Sequence, residues 1–347
     1  MKSIEQNIII NSLAAPEPGQ HLEPYNFTKS LQSTDVAVKI QYRSLYAGDA
    51  FFVDNFWGDT RYPVVPGTEY MGTVAAVGEQ TTKIKVGDYV GVGYQVNSCH
   101  TCEDCLAGTP QYCTSQEVIC INRPGALADY AIADTNFVFP IPHKLRKPEY
   151  VSLMCAGLTV YSALMRANLS QNAHVGIVGI GNLGHWAVQL GAALGHHVDA
   201  FSHHKDKWDK IRELGAANVY NSLQYEQFKP LTRQYDFILV TTYADLDWTQ
   251  YLSLLSPTGK ICFVGLPKDK IAIPSVSLAD YAGRSISGGY LGSPSDYEPL
   301  FQLVEKHHLA GEVEVYPVSR ANFVLDRIRS QELRFSAALT GDIVHDF

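Results

Sequence analysis

The sequence predicts an α/β protein of two domains, one β-rich and one built on a doubly wound parallel sheet. Three observations carry this. Over about the first 150 residues, short period-2 runs such as Val36-Ala37-Val38-Lys39-Ile40 are separated by Gly and Pro, the pattern of half-buried strands between turns. Beyond that point apolar strands alternate with helical stretches, and strands joined by helices of this length form a parallel sheet. The first strand of this second block runs straight into Gly179-Ile180-Gly181-Asn182-Leu183-Gly184, the glycine pattern of a tight strand-to-helix turn.

The elements follow in order. Lys85-Val86-Gly87-Asp88-Tyr89-Val90 reads as a turn feeding a strand. In the second block, strands are expected at 174–180, 197–202, 218–221, 236–242, 260–266 and 285–291. Between the first two, Leu183, Ala187, Leu190 and Leu194 recur at helical spacing. The tail adds a helix-like run, a strand at 312–318, a helix over 319–330 and a strand near 336–340. It is expected to return to the first domain. The boundaries are then 1–150 with 292–347 for the β-rich domain, and 151–291 for the doubly wound one.

Composition excludes several functions. The 347 residues carry a net charge of −8, so no global basic field draws nucleic acid or acidic lipid. No apolar run reaches the length of a membrane span. The start, MKSIEQNIII, lacks a basic segment followed by a long apolar stretch. Seven cysteines, four of them clustered, suit a reducing compartment better than a secreted disulfide framework. The expected location is the cytoplasm.

The cluster is Cys99, Cys102, Cys105 and Cys113, spaced C-x2-C-x2-C-x7-C on a Gly/Pro/Asn-containing stretch taken as a loop. Such gaps bring four thiolates round one tetrahedral ion, predicting one structural zinc. A disulfide-linked loop or unrelated buried thiols are the alternatives. A closed four-sulfur site has no open position for water or substrate, so its role is to hold the loop.

The glycine run predicts a dinucleotide site. Gly179 permits the turn, Gly181 lets the backbone approach a pyrophosphate, and Gly184 packs helix on strand. Asn182 and Leu183 open the helix, whose N-terminal N–H groups face the phosphates. At the end of the next strand, an acid would select NAD. The sequence there is Phe201-Ser202-His203-His204-Lys205-Asp206-Lys207, and Asp199 lies inside the strand. Ser202, His203 and Lys207 therefore favour NADP(H); a solvated loop is the plain alternative for His203 and Lys205.

Together the cysteine loop, the glycine loop, PVVPGTEYMGTVAAVG (63–78), KVGDYVGVG (85–93), LMCAGLTVYSAL (153–164) and GIVGIGNLGHWAVQLG (176–191) resemble the zinc-type medium-chain alcohol dehydrogenases, most closely the cinnamyl-alcohol-dehydrogenase branch. The resemblance implies a GroES-like catalytic domain, a Rossmann cofactor domain, a substrate cleft between them and a homodimer. It places Thr159 near the nicotinamide, and Gly265, Leu266 and Gly289 at strand ends lining the cofactor site. It also implies a catalytic zinc held by a Cys-His-x-Asp segment, a Gly-His-Glu segment and a later Cys. This chain departs from that pattern. Tyr46 stands at the cysteine position and Thr68 at the histidine position; Asp49, Glu69 and Cys155 are kept. A neutral phenol and a hydroxyl are poor zinc ligands, so no catalytic zinc is expected, and Cys155 with Glu69 is what an altered site would have to use.

Hydride transfer to an aldehyde, or between an alcohol and the nicotinamide, then needs another way to stabilise negative charge. Tyr46 can donate a proton and Thr68 can support it; filling the vacated volume is the alternative for both. An α,β-unsaturated aldehyde or ketone suits hydrogen-bond catalysis equally, because an enolate spreads the charge. Phe51, Phe52, Phe56, Trp57 and Tyr94 suggest an apolar substrate. The rival to an oxidoreductase is a catalytically silent cofactor-binding protein with a regulatory or scaffolding role.

Overall fold

The computed structural model describes residues 7–279 and 282–343. The chain divides into two compact units: Met1–Cys155, Ser293–Phe301 and Ala310–Phe347 form one, and Ala156–Gly292 with Gln302–Leu309 form the other. Among the described residues, no helix is long and apolar enough to cross a membrane.

The first unit is built on a seven-stranded sheet. Its order is Val313–Pro317, Ser336–Thr340, Asp35–Leu45, Tyr70–Val77, Tyr89–Val92 and Phe139–Pro140, with Tyr130–Asp134 paired to Asp35–Leu45. Only the first pair is parallel. Two strands of this sheet thus come from the C-terminal tail. Strand Asp35–Leu45 shows why period 2 was visible in the sequence. Val36, Val38 and Ile40 enter the main core, whereas Ala37 joins a smaller cluster with Ala76 and Ile132. Each fully buried aliphatic side chain here is worth about 1.5–3 kcal/mol. A separate hairpin, Asn7–Ala14 with Glu23–Ser30, pairs antiparallel.

The second unit holds six parallel strands in the order Asn218–Tyr220, His197–Phe201, His174–Val178, Tyr235–Val240, Leu255–Phe263 and Ser285–Gly288. Read in sequence order this is 3-2-1-4-5-6, the doubly wound arrangement, with its switch point between His174–Val178 and Tyr235–Val240. The strand expected to reach residue 180 stops at Val178, because Gly179 turns to φ 87°. The helix after it, Asn182–Ala193, is buried from Asn182 to Gly191. Leu194 is its C-cap residue rather than part of the periodic face.

Candidate active site and metal centre

Strand Asp35–Leu45 delivers Tyr46 to the start of a short helix, Ala47–Val53. Tyr46 is extended there (φ −151°, ψ −172°). Its ring lies over Gly48, where a Cβ would sit 2.8 Å from the ring carbon Cε2. The Asp49 carboxylate ties this turn to the next segment. Its Oδ2 accepts from the Tyr46 N–H and its Oδ1 from the Gly67 N–H, each at 3.0 Å. Gly67 has φ 102°, and a Cβ there would meet the Ala126 and Leu127 nitrogens at 3.0 Å. The next residue, Thr68, donates from Oγ1 to the Tyr46 hydroxyl at 3.1 Å, in a buried contact. Glu69 then accepts from the Cys155 N–H at 2.6 Å. The Cys155 segment is fixed from behind, where the Tyr297 hydroxyl donates to the Met154 carbonyl at 2.6 Å.

Tyr46, Thr68, Asp49, Glu69 and Cys155, which lie far apart in sequence, therefore form one buried cluster. Its electrostatics suppress charge. Burial and the Glu69 carboxylate push the Cys155 thiol well above its ordinary value, against a hydrogen bond from the Tyr46 side chain. Burial also lifts Asp49 to about 7, against the N–H groups of Tyr46, Gly67 and Thr68. The aromatic residues gather beside it. Phe51 stacks on Phe56 at 4.4 Å, Trp57 packs on Phe52 at 5.3 Å, and Tyr94 lies 6.3 Å from Phe52.

The cysteine loop behaves in the opposite way. The Sγ atoms of Cys99, Cys102, Cys105 and Cys113 all lie within 4.8 Å of one another. A tetrahedral zinc with Zn–S of about 2.3 Å sets its sulfurs about 3.8 Å apart, and Cys99 Sγ and Cys105 Sγ are separated by 3.9 Å. Backbone N–H groups point at the sulfurs: Cys102 N–H donates to Cys99 Sγ at 3.3 Å and Cys99 N–H to Cys113 Sγ at 3.5 Å. The N–H groups of Thr101 and Cys102 draw the Cys99 thiol down to about 6. All seven cysteines are free thiols. The donor set fits a structural zinc.

In the second unit the glycine loop has the shape a dinucleotide needs. A Cβ on Gly179 would strike Thr242 Cβ at 2.5 Å, and one on Gly184 would strike the Gly179 carbonyl at 2.1 Å. At Gly181 a Cβ would meet nothing within 4 Å, so the backbone faces open space. Beside it, both polar atoms of the Asn182 carboxamide are buried without a partner among the described residues. An approachable backbone and an orphaned amide at the start of a twelve-residue helix fit a pyrophosphate. Leu183 is buried in the same turn.

At the next strand end, Asp199 is engaged inside the sheet, accepting from Tyr235 Oη at 2.7 Å and Asn218 Nδ2 at 2.9 Å. Ser202 is buried and its Oγ accepts from the His204 N–H at 3.3 Å. His203 is exposed, while Lys207 is buried. Thr159 is buried in helix Ala156–Arg166. Gly265 and Gly289 make close approaches, a Cβ meeting Thr242 O at 2.2 Å and Val264 Cγ1 at 2.7 Å respectively. Leu266 is exposed.

The family profile described as alcohol dehydrogenase GroES-like domain matches residues 32–143, and that described as zinc-binding dehydrogenase matches 182–306. NADP-dependent alcohol dehydrogenase C of Mycobacterium bovis is 34% identical over 87% of this chain and 89% of its own. Aldehyde reductase AdhA of Synechocystis is 31% identical over 96% of this chain and 99% of its own. The chain belongs to the zinc-type medium-chain alcohol dehydrogenase family. Among solved structures, a cinnamyl alcohol dehydrogenase of Sorghum bicolor superposes with a TM-score of 0.93 at 30% identity, covering 98% of this chain and 100% of that one. The cinnamyl alcohol dehydrogenase of Helicobacter pylori complexed with NADP(H) gives 0.90 at 25% identity, covering 96% and 99%.

Measured against this dehydrogenase family, the Tyr46 cluster does not fit a catalytic zinc. Asp49 is held by two backbone N–H groups and Glu69 by a third. Among the described residues, the cysteine loop is the only group of three or more His, Cys, Asp or Glu side chains with ligand atoms within 4.8 Å. Sequence reasoning missed two supports of these dehydrogenase sites. Thr241 caps the glycine loop, donating from Oγ1 to the carbonyls of Val178, at 3.1 Å, and Gly179. Tyr297 anchors Met154 from a segment 143 residues away. Neither pairing carries a local sequence signal.

Proposed function

We propose that this chain is an NADP(H)-dependent oxidoreductase that transfers hydride between the nicotinamide and an aldehyde/alcohol pair or an α,β-unsaturated carbonyl, without a catalytic zinc. The buried Thr68–Tyr46 hydrogen bond carries this reading. It lies where the family resemblance puts two of the metal ligands. Thr68 donates to the Tyr46 oxygen, so it can stabilise that oxygen when the phenol gives its proton to a substrate oxygen.

Bound NADPH supplies the hydride. Tyr46 gives its proton to the oxygen on which negative charge develops, and Thr68 stabilises the phenolate left behind. A phenol with an ordinary pKa of about 10 is a far stronger acid than an alcohol, so transfer to an alkoxide is downhill. Asp49 acts through the backbone, fixing the Tyr46 and Gly67 nitrogens. The aromatic group Phe51, Phe52, Phe56, Trp57 and Tyr94 supports an apolar substrate. The loop after His197–Phe201, carrying Ser202, His203 and Lys207, with Asp199 engaged inside the sheet, supports NADP(H) over NAD. Seven free thiols support a reducing, cytoplasmic setting. Strand Ser285–Gly288 ends its sheet with all four residues exposed, an unpaired edge that supports a homodimer.

Two measurements test the proposal. Metal analysis of the purified protein is expected to give one zinc per chain; two would overturn the zinc-free site. Incubation with NADPH and an enal is expected to give turnover, a saturated aldehyde marking conjugate reduction and an unsaturated alcohol marking carbonyl reduction. Tight NADPH binding with no turnover on any enal, aldehyde or ketone would leave the cofactor-binding role instead.

A further inference from the structure

The bonds from Asp49 to the Tyr46 and Gly67 nitrogens leave one of its contacts without a role. The Thr68 side chain is hydrogen-bonded to the Asp49 carboxyl as well as to the Tyr46 hydroxyl. A hydroxyl can donate and accept at once, so the Thr68 oxygen joins two acidic groups in one row. Asp49 is wholly buried, and Thr68 and Tyr46 nearly so.

The bond directions agree along this row. Thr68 donates its proton toward the Tyr46 oxygen at 3.1 Å, which leaves its own oxygen to accept from a protonated Asp49. Burial holds Asp49 up at about 7, while the N–H groups of Tyr46, Gly67 and Thr68 and the Thr68 side chain pull the other way. Burial thus favours the acid, and donors already stand ready for the carboxylate. A group balanced in this way near neutral pH can both hold and release a proton. The other titratable groups nearby do not compete. Cys120 and Cys155 feel the Asp49 charge, but burial pushes both thiols well above their ordinary value. Glu69 lies on the far side, accepting from the Cys155 N–H.

We propose that Asp49 is the proton source behind Tyr46: Tyr46 gives its proton to the substrate oxygen, Thr68 passes its proton to the Tyr46 oxygen, and Asp49 passes its proton to the Thr68 oxygen. The inference rests on the reading of Tyr46 as proton donor, and it makes the phenolate reprotonated through Thr68 as well as stabilised by it. The hydride and its electron pair go to the substrate carbon. Each O–H bond that breaks along the row is matched by one that forms, so the net change is one proton moved from Asp49 to the substrate oxygen. Asp49 is left as a carboxylate among its N–H donors and takes a proton back from water between turnovers. It acts through Thr68 and does not touch the substrate.

Single-turnover reduction of crotonaldehyde or hexanal by the full-length protein preloaded with NADPH tests this, from about pH 5 to about pH 9. The parent rate should be highest at the acid end and fall about tenfold as pH rises through about 7, where Asp49 gives up its proton. Tyr46 still holds its own proton there, so the loss is partial. Asp49→Asn should run at the lower rate throughout, with no step near 7. Thr68→Val leaves Asp49 whole but cuts its path to Tyr46, and it should lose the same step. Thr68→Ser keeps the hydroxyl and should recover the step and most of the rate lost in Thr68→Val. An Asp49 that only held the backbone would leave the step in place in Thr68→Val. Melting temperatures check the variants; if Asp49→Asn does not fold, the Thr68→Val and Thr68→Ser pair decides. A parent without turnover would overturn the oxidoreductase reading and this inference with it. With the parent active and Tyr46→Phe impaired, a flat parent profile, or a step near 7 that persists in Asp49→Asn or Thr68→Val, would overturn the relay alone.

Discussion

The cysteine loop and the Tyr46 cluster both stand where a zinc-type dehydrogenase is expected to hold metal, and they treat charge in opposite ways. In the loop, backbone N–H groups converge on the Cys99 and Cys113 sulfurs and draw Cys99 toward thiolate, while hydrogen bonding to the Cys105 side chain and burial raise its neighbour Cys102. In the cluster, burial drives the Cys155 thiol and the Asp49 carboxyl toward their neutral forms. The difference teaches that a metal site is more than its ligand residues. Cys155, Asp49 and Glu69 are ligand types, yet two of them are committed to backbone N–H groups and the third is kept protonated. What remains is a pair of neutral hydroxyls, and neutral hydroxyls can donate protons.

The largest expected effect lies in the loop. Cys113→Ser, buried at the close of the cluster, should take zinc content from one per chain to well below one-half. It should also lower unfolding stability by about 4 kcal/mol, the scale seen when a structural metal is lost. Zinc content by mass spectrometry and urea unfolding read the two effects. An unchanged zinc content would erase the contrast between the regions.

Next comes Tyr46→Phe. It removes one oxygen and keeps the ring over Gly48, so the fold should stand. Loss of a general acid that also stabilises an oxyanion predicts a fall in kcat of about 10²–10³-fold, with little change in NADPH affinity. Undiminished turnover would reduce Tyr46 to a filler of the space beside Cys155.

These two sites were not equally legible in the sequence. The cysteine loop was readable because all its ligands fall within fifteen residues and local spacing dictates the geometry. The glycine loop was readable for the same reason, since within one turn Gly179 and Gly184 answer steric demands and Gly181 leaves the backbone open. The doubly wound parallel sheet followed from apolar strands alternating with helices, and its strand order came from the structure. The Tyr46 cluster was reached only through resemblance, because its members are joined by the sheet rather than by the chain. The partners of Asp49 illustrate the limit. It accepts from Gly67, eighteen residues on, and no period or motif announces that bond.

Asp49 gives a smaller, pH-dependent effect. Its folded pKa is raised to about 7 from an ordinary 3.8. Below the ordinary value both folded and unfolded chains hold the proton, and the stabilising contribution is complete. As pH rises toward 7 the unfolded chain releases its proton first, so this contribution is lost across that window. At about 1.4 kcal/mol per unit, the parent should lose about 2–3 kcal/mol more than Asp49→Asn between pH 5 and pH 7. Urea unfolding at the two values measures it. A parallel pH dependence in parent and variant would mean that the cluster tolerates a buried carboxylate, which would narrow its contrast with the cysteine loop.

The smallest effect is expected at Thr68. Thr68→Val keeps the shape and removes the donor to the Tyr46 oxygen. One hydrogen bond to a forming phenolate is worth about 1.5 kcal/mol, so kcat should fall about tenfold, with KM for NADPH unchanged. The double variant Tyr46→Phe/Thr68→Val makes the test specific. If Thr68 works only through Tyr46, the second substitution adds nothing once the phenol is gone. A further tenfold loss in the double variant would place Thr68 on the substrate itself, and an unaffected single variant would leave Tyr46 to carry the charge alone.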